Sequence, residues 1–230
     1  RISWNALLKY AAEVSCLRVK LMDEKQIDFL LYGIPENVDY TTIPEELDLE
    51  DVPQERIDGL IELLSNENEV LQFDSARLLA HWGIDEGFDT LVLMFEKGKT
   101  EGMIDHRLHG YDDTDRHILS ACISYWASKA GHSQQKGDDA RQKIFPSIAR
   151  IIRKASSADF SISELFWLVT KMQFIEYVPL VKEYLQHIID HPSKRYWAIH
   201  DTVKSLLEIE PQFVHDLLES KHKKLSDFGL

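Results

Sequence analysis

The densest group of side chains that could carry chemistry lies between Asp105 and His117. This segment reads DHRLHGYDDTDRH and holds three histidines and four aspartates. Imidazole nitrogens and carboxylate oxygens bind zinc, so the composition is compatible with a metal site. No cysteine lies near it in the sequence, however, and His106 and His109 lack the i, i+4 spacing that places two ligands on one helix face. We therefore predict no metal and no other cofactor, and a metal site stays the minor alternative.

Two other interpretations of this segment remain open. In the first it is the start of a helix, because residues 112–114 are types that cap helix N-termini and Asp115 complements the positive end of the helix dipole. In the second it is a loop that contacts a partner, because Arg107 and Tyr111 are residue types that dominate protein interfaces. The partner-binding residues predicted in this segment are Asp105, Arg107, His109, Tyr111, Asp112 and Asp113.

A second candidate surface is the stretch Glu36 to Glu55, which holds eight acids and no lysine or arginine. Pro35, Pro44 and Pro53 exclude a regular helix, and no strand-like alternation is present, so we predict a long acidic loop. A loop of this length either makes a functional contact or is a solvated linker, and the sequence leaves both open. The partner-binding residues predicted here are Glu45, Glu46, Asp48, Glu50 and Asp51.

The charge of the chain narrows the class of partner. Thirty-nine acids against 26 bases give a net charge of −13. Such a surface repels the phosphates of nucleic acids and anionic lipids, which proteins bind through lysine and arginine. It attracts a basic protein and accelerates association with one. We therefore predict a basic protein partner, neither nucleic acid nor membrane; the alternative is that the acids serve solubility alone.

Motifs for catalysis are lacking. The sequence contains no glycine-rich phosphate loop and no G-x-S-x-G elbow. The adjacent acid pairs Glu45-Glu46 and Asp112-Asp113 fall in predicted loops, where solvated charge is the commoner role than an acid/base pair. We predict that the protein is not an enzyme and that no residue is catalytic.

The elements that position these residues are helices. Apolar residues recur at i, i+3, i+4 and i+7 from Ile57 to Leu64, a polar turn follows, and a second stripe runs from Leu71 to Trp82 before Gly83. A pair of helices this short cannot bury its apolar face alone, so the pattern predicts similar pairs stacked on either side.

Helical stripes also cover most of the remaining chain, and no segment shows strand alternation, so we predict an all-α protein of about ten helices. Irregular segments are predicted at 99–113 and as a polar break from Gly131 to Asp139. The other stripes lie at 3–21, 23–31, 88–95, 118–126, 144–152, 165–172, 178–188, 196–207 and 213–218. Trp82, Trp126, Trp167 and Trp197 all lie in these stripes, and we expect most of them in the core. In the adjacent pairs Phe166-Trp167 and Tyr196-Trp197, one member of each can reach the surface.

The best-defined helix pair resembles the HEAT-repeat family. Leu60–Leu64, the polar turn and the order Ser75-Ala76, Leu79-Ala80, Trp82-Gly83 follow the family pattern. Arg195-x-x-Ala198 after Pro192, and Arg116 after Asp115, echo the arginine of the family's second helix, whereas Gln72 stands at that position in the best repeat. The resemblance covers about residues 53–220 and implies an α-solenoid of stacked antiparallel helix pairs. It does not specify a function, because such solenoids serve many roles.

The resemblance also suggests a division of the chain. We expect residues 1–52 to form two helices and the acidic loop, packed on a HEAT-like helical-repeat domain at 53–230. Cys16 and Cys122 lie in helical patterns and are expected to be reduced and buried, which favours the cytoplasm. No apolar run approaches the roughly 20 residues of a membrane span, and residues 1–10 lack a signal-peptide pattern.

These observations favour a non-enzymatic, protein-binding helical-repeat module. By resemblance, compact acidic proteins of this size are used by bacteria to mask a toxin, often a basic nuclease, and an immunity or inhibitor protein is our most specific expectation. The alternatives are a scaffold or adaptor protein, and a helical-repeat enzyme acting on nucleic acid, such as the related DNA glycosylases, which would need a face rich in lysine and arginine. The sequence does not indicate the oligomeric state.

Overall fold

A computed structural model of the chain describes residues 22–230. Within them lie ten α-helices, four short 3₁₀ turns and no strand, so the all-α prediction is confirmed for this part of the chain. The helix predicted for residues 3–21 lies outside the described residues. The helices are α1 Glu24–Tyr32, α2 Gln54–Leu63, α3 Glu69–His81, α4 Asp85–Glu96, α5 Thr114–His132, α6 Gln134–Ala155, α7 Glu164–Thr170, α8 Val178–Ile188, α9 Pro192–Ile209 and α10 Pro211–Ser220.

The chain divides into two compact units. The first contains residues 22–103 together with Ala121–Ile144, and the second contains Ile104–Ser120 together with Phe145–Leu230. Helices α5 and α6 each contribute residues to both units. The division predicted at residue 53 stays a prediction.

The predicted apolar stripes supply much of the core of the first unit: Leu60 and Leu64, Leu78 and Leu79 of α3 and Leu91 of α4 are buried. Leu63 and Phe73, which lie outside the predicted stripes, are buried as well, whereas Ile61 and Leu71 are half-buried. Neighbouring helices α2, α3 and α4 pack on one another in chain order. Helix α3 ends where the sequence predicts, because Gly83 follows it with a φ of 76°, a left-handed conformation that glycine adopts without strain.

The polar break predicted from Gly131 to Asp139 is wrong, because only Ser133 separates α5 from α6. The Ser133 hydroxyl accepts a hydrogen bond from the Lys136 amide at 3.2 Å and so caps the new helix. A Cβ atom on Gly137 would lie 2.9 Å from the Cβ of Ala130, so a glycine permits this close turn. The first turns of α6 are polar and exposed and lack apolar residues at helical spacing. Their sequence therefore resembles that of a loop.

The second unit has its core between α7, α8, α9 and α10. Leu168, Leu185, Val203 and Val214 are buried there, as their helical spacing predicts. Helix α9 packs on α7, α8 and α10. Near its start Arg195 leaves helical geometry, with φ −124° and ψ 21°, which kinks the helix after its first turn.

The tryptophans follow the prediction in part. Trp82 and Trp126 are buried, whereas Trp167 and Trp197 are exposed. Trp167 therefore reaches the surface as the expected member of its aromatic pair, whereas both Tyr196 and Trp197 are exposed. Core packing holds for only two of these four tryptophans.

The described part of the chain also bears on the membrane and thiol predictions. None of its helices is long and apolar enough to cross a membrane. Cys122 is a buried free thiol, and burial raises its pKa to about 12. It therefore stays protonated and unreactive at neutral pH. Cys16 lies outside the described residues.

Candidate functional site

The acidic loop between α1 and α2 is folded onto the first unit. It contains two 3₁₀ turns, Pro44–Glu46 and Leu49–Asp51. Leu47 and Val52 are buried and tie the loop to the core. The indole nitrogen of Trp82, which directly follows α3, donates a hydrogen bond to the Pro44 carbonyl at 2.9 Å. The sequence of the loop has neither the helical nor the strand pattern of apolar residues. Its conformation therefore depends on the buried side chains and on the side-chain hydrogen bonds.

Side chains within the loop also hold its carboxylates. The Tyr40 hydroxyl donates to Asp51 Oδ2 at 3.0 Å and accepts from the Asp48 amide at 2.8 Å. The Thr41 hydroxyl donates to Glu46 Oε2 at 3.0 Å. The carboxylates of Glu46 and Asp51 therefore have fixed hydrogen-bond partners in a folded turn.

Glu45 is the loop acid that binds an arginine. Its Oε1 lies 2.6 Å from Nη1 of Arg77, on α3, and both side chains are largely buried. Burial raises the pKa of Glu45, but the charge and hydrogen bond of Arg77 outweigh burial, so the pKa is lowered. Glu45 is thus ionised at neutral pH and fastens the loop to α3.

The other acids of the stretch from Glu36 to Glu55 make no ion pair with any residue in the range 22–230. Glu46, Asp48 and Glu50 are exposed and follow one another along the two 3₁₀ turns. Among them lie the partly exposed apolar side chains of Tyr40 and Ile43. The loop therefore presents uncompensated negative charge on a fixed backbone around apolar residues.

A buried arginine that the sequence analysis missed supports this surface. Arg56 is 2 % exposed. Its Nε donates to the Leu30 carbonyl at 2.8 Å and its Nη1 donates to the Gly33 carbonyl at 2.5 Å. Its guanidinium also lies 5.0 Å from the ring centre of Trp82. Arg56 thus satisfies carbonyls at the C-terminal end of α1 and complements the negative end of that helix dipole. The only signal in the sequence is an arginine directly before the apolar stripe that begins at Ile57.

In the second unit, residues 105–112 form a short hairpin-like loop. Asp105 and Asp112 make an isolated antiparallel bridge, and the His106 amide donates to the Tyr111 carbonyl at 2.8 Å. The His106 ring stacks on the rings of Tyr111 and His109, with centroids 4.6 and 5.0 Å apart. Leu108, at the tip, is 84 % exposed. Arg107 and His109 are exposed as well, as a contact loop requires.

The acids at the end of this loop and directly after it build the start of α5 instead. Asp112 Oδ1 accepts from the Thr114 amide at 3.0 Å. Asp113 is 1 % exposed, and its Oδ2 lies 2.7 Å from Nη2 of Arg116. Asp115 binds Lys154 at 2.6 Å. The helix-start interpretation therefore describes residues 112–115, whereas the contact-loop interpretation suits residues 105–111. Asp113 turns inward and is not available to a partner in this conformation.

Metal binding was the minor interpretation of the histidine-rich segment. In residues 22–230, no three side chains of histidine, cysteine, aspartate or glutamate converge as metal ligands. His106 and His109 stack on each other, and their neighbour in that stack is the ring of Tyr111. What this loop offers is an aromatic surface.

A further exposed aromatic residue of the second unit is Trp197, near the start of α9. It is 71 % exposed and packs edge-on against Tyr196, with ring centroids 5.2 Å apart. An indole this exposed is a common anchor of protein interfaces.

Compared with protein-family models, with curated proteins and with solved structures, the chain matches none. Its function is therefore inferred from the surfaces of the two units.

Proposed function

We propose that this chain is a non-enzymatic binding protein of the immunity or inhibitor type, which neutralises a basic toxin such as a nuclease in the cytoplasm. The observation that carries the proposal is the acidic loop of the first unit, whose exposed carboxylates lack cationic partners among the described residues while its backbone is fastened by Trp82 and Arg77. Binding residues in this proposal include Glu46, Asp48 and Glu50.

The physical reason is preorganisation. A partner loses less entropy on binding a folded loop than on ordering a mobile one, so more of the electrostatic attraction appears as affinity. A row of carboxylates on a fixed backbone also imitates the negative charge of a phosphate backbone, which a nuclease must bind with lysine and arginine. Long-range attraction raises the association rate, and the apolar side chains of Tyr40 and Ile43 slow dissociation.

We further propose that the helices form a HEAT-like α-solenoid. The order of packing supports this architecture, because α2, α3 and α4 pack consecutively in the first unit and α8, α9 and α10 do so in the second. Such repeats expose long surfaces for macromolecular partners.

The test is capture of partners from the native lysate by the tagged chain at low salt and at about 0.5 M salt, followed by mass spectrometry. The informative variant is Glu46→Lys with Asp48→Lys and Glu50→Lys. A matched control reverses three exposed acids away from the loop, Glu67→Lys, Glu101→Lys and Glu219→Lys. Both triple variants, the loop triple and the control triple, change the net charge by the same amount. A difference in binding between them therefore reports on the loop and not on the net charge.

We expect one basic protein in stoichiometric amount at low salt, weakened at high salt, lost with the loop triple and retained with the control triple. Equal loss with both triples would assign binding to overall charge. Absence of a basic partner would refute the inhibitor function.

A scaffold or adaptor is the second candidate, and the exposed side chains of Leu108 and Trp197 in the second unit favour it. Apolar contacts of this kind are insensitive to salt, in contrast to those of the acidic loop. Several partners that persist at about 0.5 M salt and are lost with Trp197→Ala would establish this function instead.

A further inference from the structure

A groove between α1 and α2 is open at the surface of the first unit. Its volume is about 860 Å³. Met22, Phe29 and Leu30 form the apolar part of its wall, and Gly59 lines it without a side chain. Phe29 is 58 % exposed. An aromatic ring of α1 therefore stands in an open groove between two helices.

The rim of this groove is acidic. Among the described lining residues, Lys25 is the only exposed base, because Arg56 is buried and donates to the carbonyls of Leu30 and Gly33. The groove therefore suits an occupant with an apolar face flanked by cations. The acids of the rim are Asp23, Glu55, Asp58 and Glu62.

The chain enters α1 at the groove itself. Met22 lines the groove, and the next residue, Asp23, caps α1. The Asp23 carboxylate accepts a hydrogen bond from the Gln26 amide at 2.8 Å, and Gln26 Oε1 accepts one from the Asp23 amide at 3.1 Å. Asp23 has an extended backbone, with φ −79° and ψ 164°. Because this capping box ends the helix, the direction of the chain changes beside the groove.

The sequence of residues 1–21, which lie outside the described residues, has the chemistry that the groove requires. It holds four bases and one acid, in a chain whose net charge is −13. An amphipathic helix binds a groove through apolar side chains at i, i+3, i+4 and i+7. Apolar residues with this spacing include Trp4, Leu7, Leu8, Val14, Leu17 and Leu21.

We propose that residues 3–21 form an amphipathic helix whose apolar stripe occupies the groove between α1 and α2. Direct linkage to Met22 keeps this segment at a high effective concentration, so it fills the groove in preference to a free partner. Its bases complement the carboxylates of the rim. The docked segment covers Phe29 and adds apolar burial to α1, which at nine residues is too short to be stable alone. The inference is independent of the inhibitor function.

Photo-cross-linking in the full-length chain tests the occupant. The cross-linker p-benzoylphenylalanine replaces Phe29 in the groove or, as a control, Leu93, an exposed apolar residue of α4 that does not line the groove. Trypsin cuts after Lys9 and Arg18, so mass spectrometry assigns each link to residues 2–9 or 10–18. A mixture of unlabelled and heavy-isotope chains distinguishes links within one chain from links between two. We expect links from position 29 to both peptides within one chain, and none from position 93.

Two double variants separate the apolar stripe from the charge of the segment. Leu8→Asp with Leu17→Asp places two carboxylates on the stripe, whereas Asn5→Asp with Ser15→Asp adds the same charge at polar positions outside it. We expect the stripe variant to lower the yield of links from position 29 about five-fold or more, because an aspartate cannot be buried against the groove without a large cost. The polar variant should keep most of the yield.

Hydrogen exchange provides a readout that needs no cross-linker. In the stripe variant we expect the amides of Glu24–Tyr32 to exchange about ten-fold faster, since α1 loses the helix that covers it. The polar variant should exchange like the wild type. Circular dichroism melting curves verify that each variant is folded at the temperature of the experiment.

Three results would overturn the proposal. They are links from position 29 that join only different chains, equal yields from the stripe and polar variants, and exchange in α1 that neither variant changes. The first result would assign the groove to a second copy of the chain. None of the three bears on the inhibitor function, which depends on the loop triple.

Discussion

At the scale of single residues, neighbouring acids of the first unit have opposite effects on stability. Asp74 has a raised pKa, because burial and Glu45 disfavour its charge, so its ionised form costs stability once the pH exceeds the folded-state value. We expect Asp74→Asn to raise the melting temperature at pH 7 by about 1 to 3 °C. The gain should shrink as the pH falls through the raised pKa of Asp74 toward the ordinary aspartate value of 3.8. Thermal melts across this range, with Asp58→Asn alongside, measure the effect.

Replacing Glu45 should have the opposite effect on stability. Burial opposes the charge of Glu45, but Arg77 lowers its pKa below the ordinary value of 4.5. The stabilisation from its ionised form is therefore fully present above pH 4.5 and is lost as the pH falls through the lowered pKa. We expect Glu45→Gln to lower the melting temperature at pH 7 and to matter progressively less below pH 4.5. A Glu45→Gln chain that melts like the wild type at pH 7 would show that the ion pair with Arg77 adds nothing.

Arg56 is the residue whose loss should be most damaging. Replacing it with leucine keeps the burial but removes two hydrogen bonds from a charged donor to backbone carbonyls of α1 and its C-terminal cap. We expect Arg56→Leu to cost about 2 to 4 kcal/mol in the free energy of unfolding. Urea denaturation gives this number, and hydrogen exchange should show the amides of Glu24–Tyr32 losing protection first. Arg153→Leu, at an exposed position, is the control.

At the scale of elements, most of the helices could be predicted, whereas the first turns of α6 and the geometry of the acidic loop could not. The stripes from Ile57 to Leu64 and from Leu71 to Trp82 predicted α2 and α3 well, because burial of one face imposes the helical period. The acidic loop was predicted only as irregular. Its anchors, Pro44 to Trp82 and Glu45 to Arg77, join positions 38 and 32 residues apart, and no local pattern records such contacts.

The same reason explains the charge balance at Asp74 and the helix-start acids. Asp74 resembles any polar residue on the outer face of α3 until the position of Glu45 is known. Asp112 and Asp113 have capping chemistry that the sequence revealed, yet their depth depends on Arg116 and on the fold of the preceding loop. Local residue preferences predict where a helix or a loop lies. The charge balance around an acid depends instead on residues that are distant in the sequence and close in the fold.

The anchor at Trp82 provides a test of preorganisation. Trp82→Phe keeps a buried aromatic ring and removes the hydrogen bond to the Pro44 carbonyl. We expect a loss of about 1 kcal/mol in stability and faster hydrogen exchange throughout residues 36–53. Unchanged exchange in the loop would show that Leu47 and Val52 hold it without the indole.

At the scale of the whole molecule, the net charge of −13 should govern how fast a basic partner arrives. With the captured partner, stopped-flow association rates should fall steeply as salt increases, while dissociation rates change little. The loop triple should lower the association rate further than the control triple, because local charge steers the final approach. Equal rates for the two triples would assign steering to the molecule as a whole.

The fastening of the acidic loop by α3 also determines what a fragment of it can do. A synthetic peptide covering residues 36–55 would carry the same carboxylates but would lack the burial of Leu47 and Val52 and the contacts with Arg77 and Trp82. It should therefore compete poorly for the partner. Antibodies raised against that peptide should recognise the denatured chain on a blot and miss the native protein, because the epitope of the folded loop is conformational.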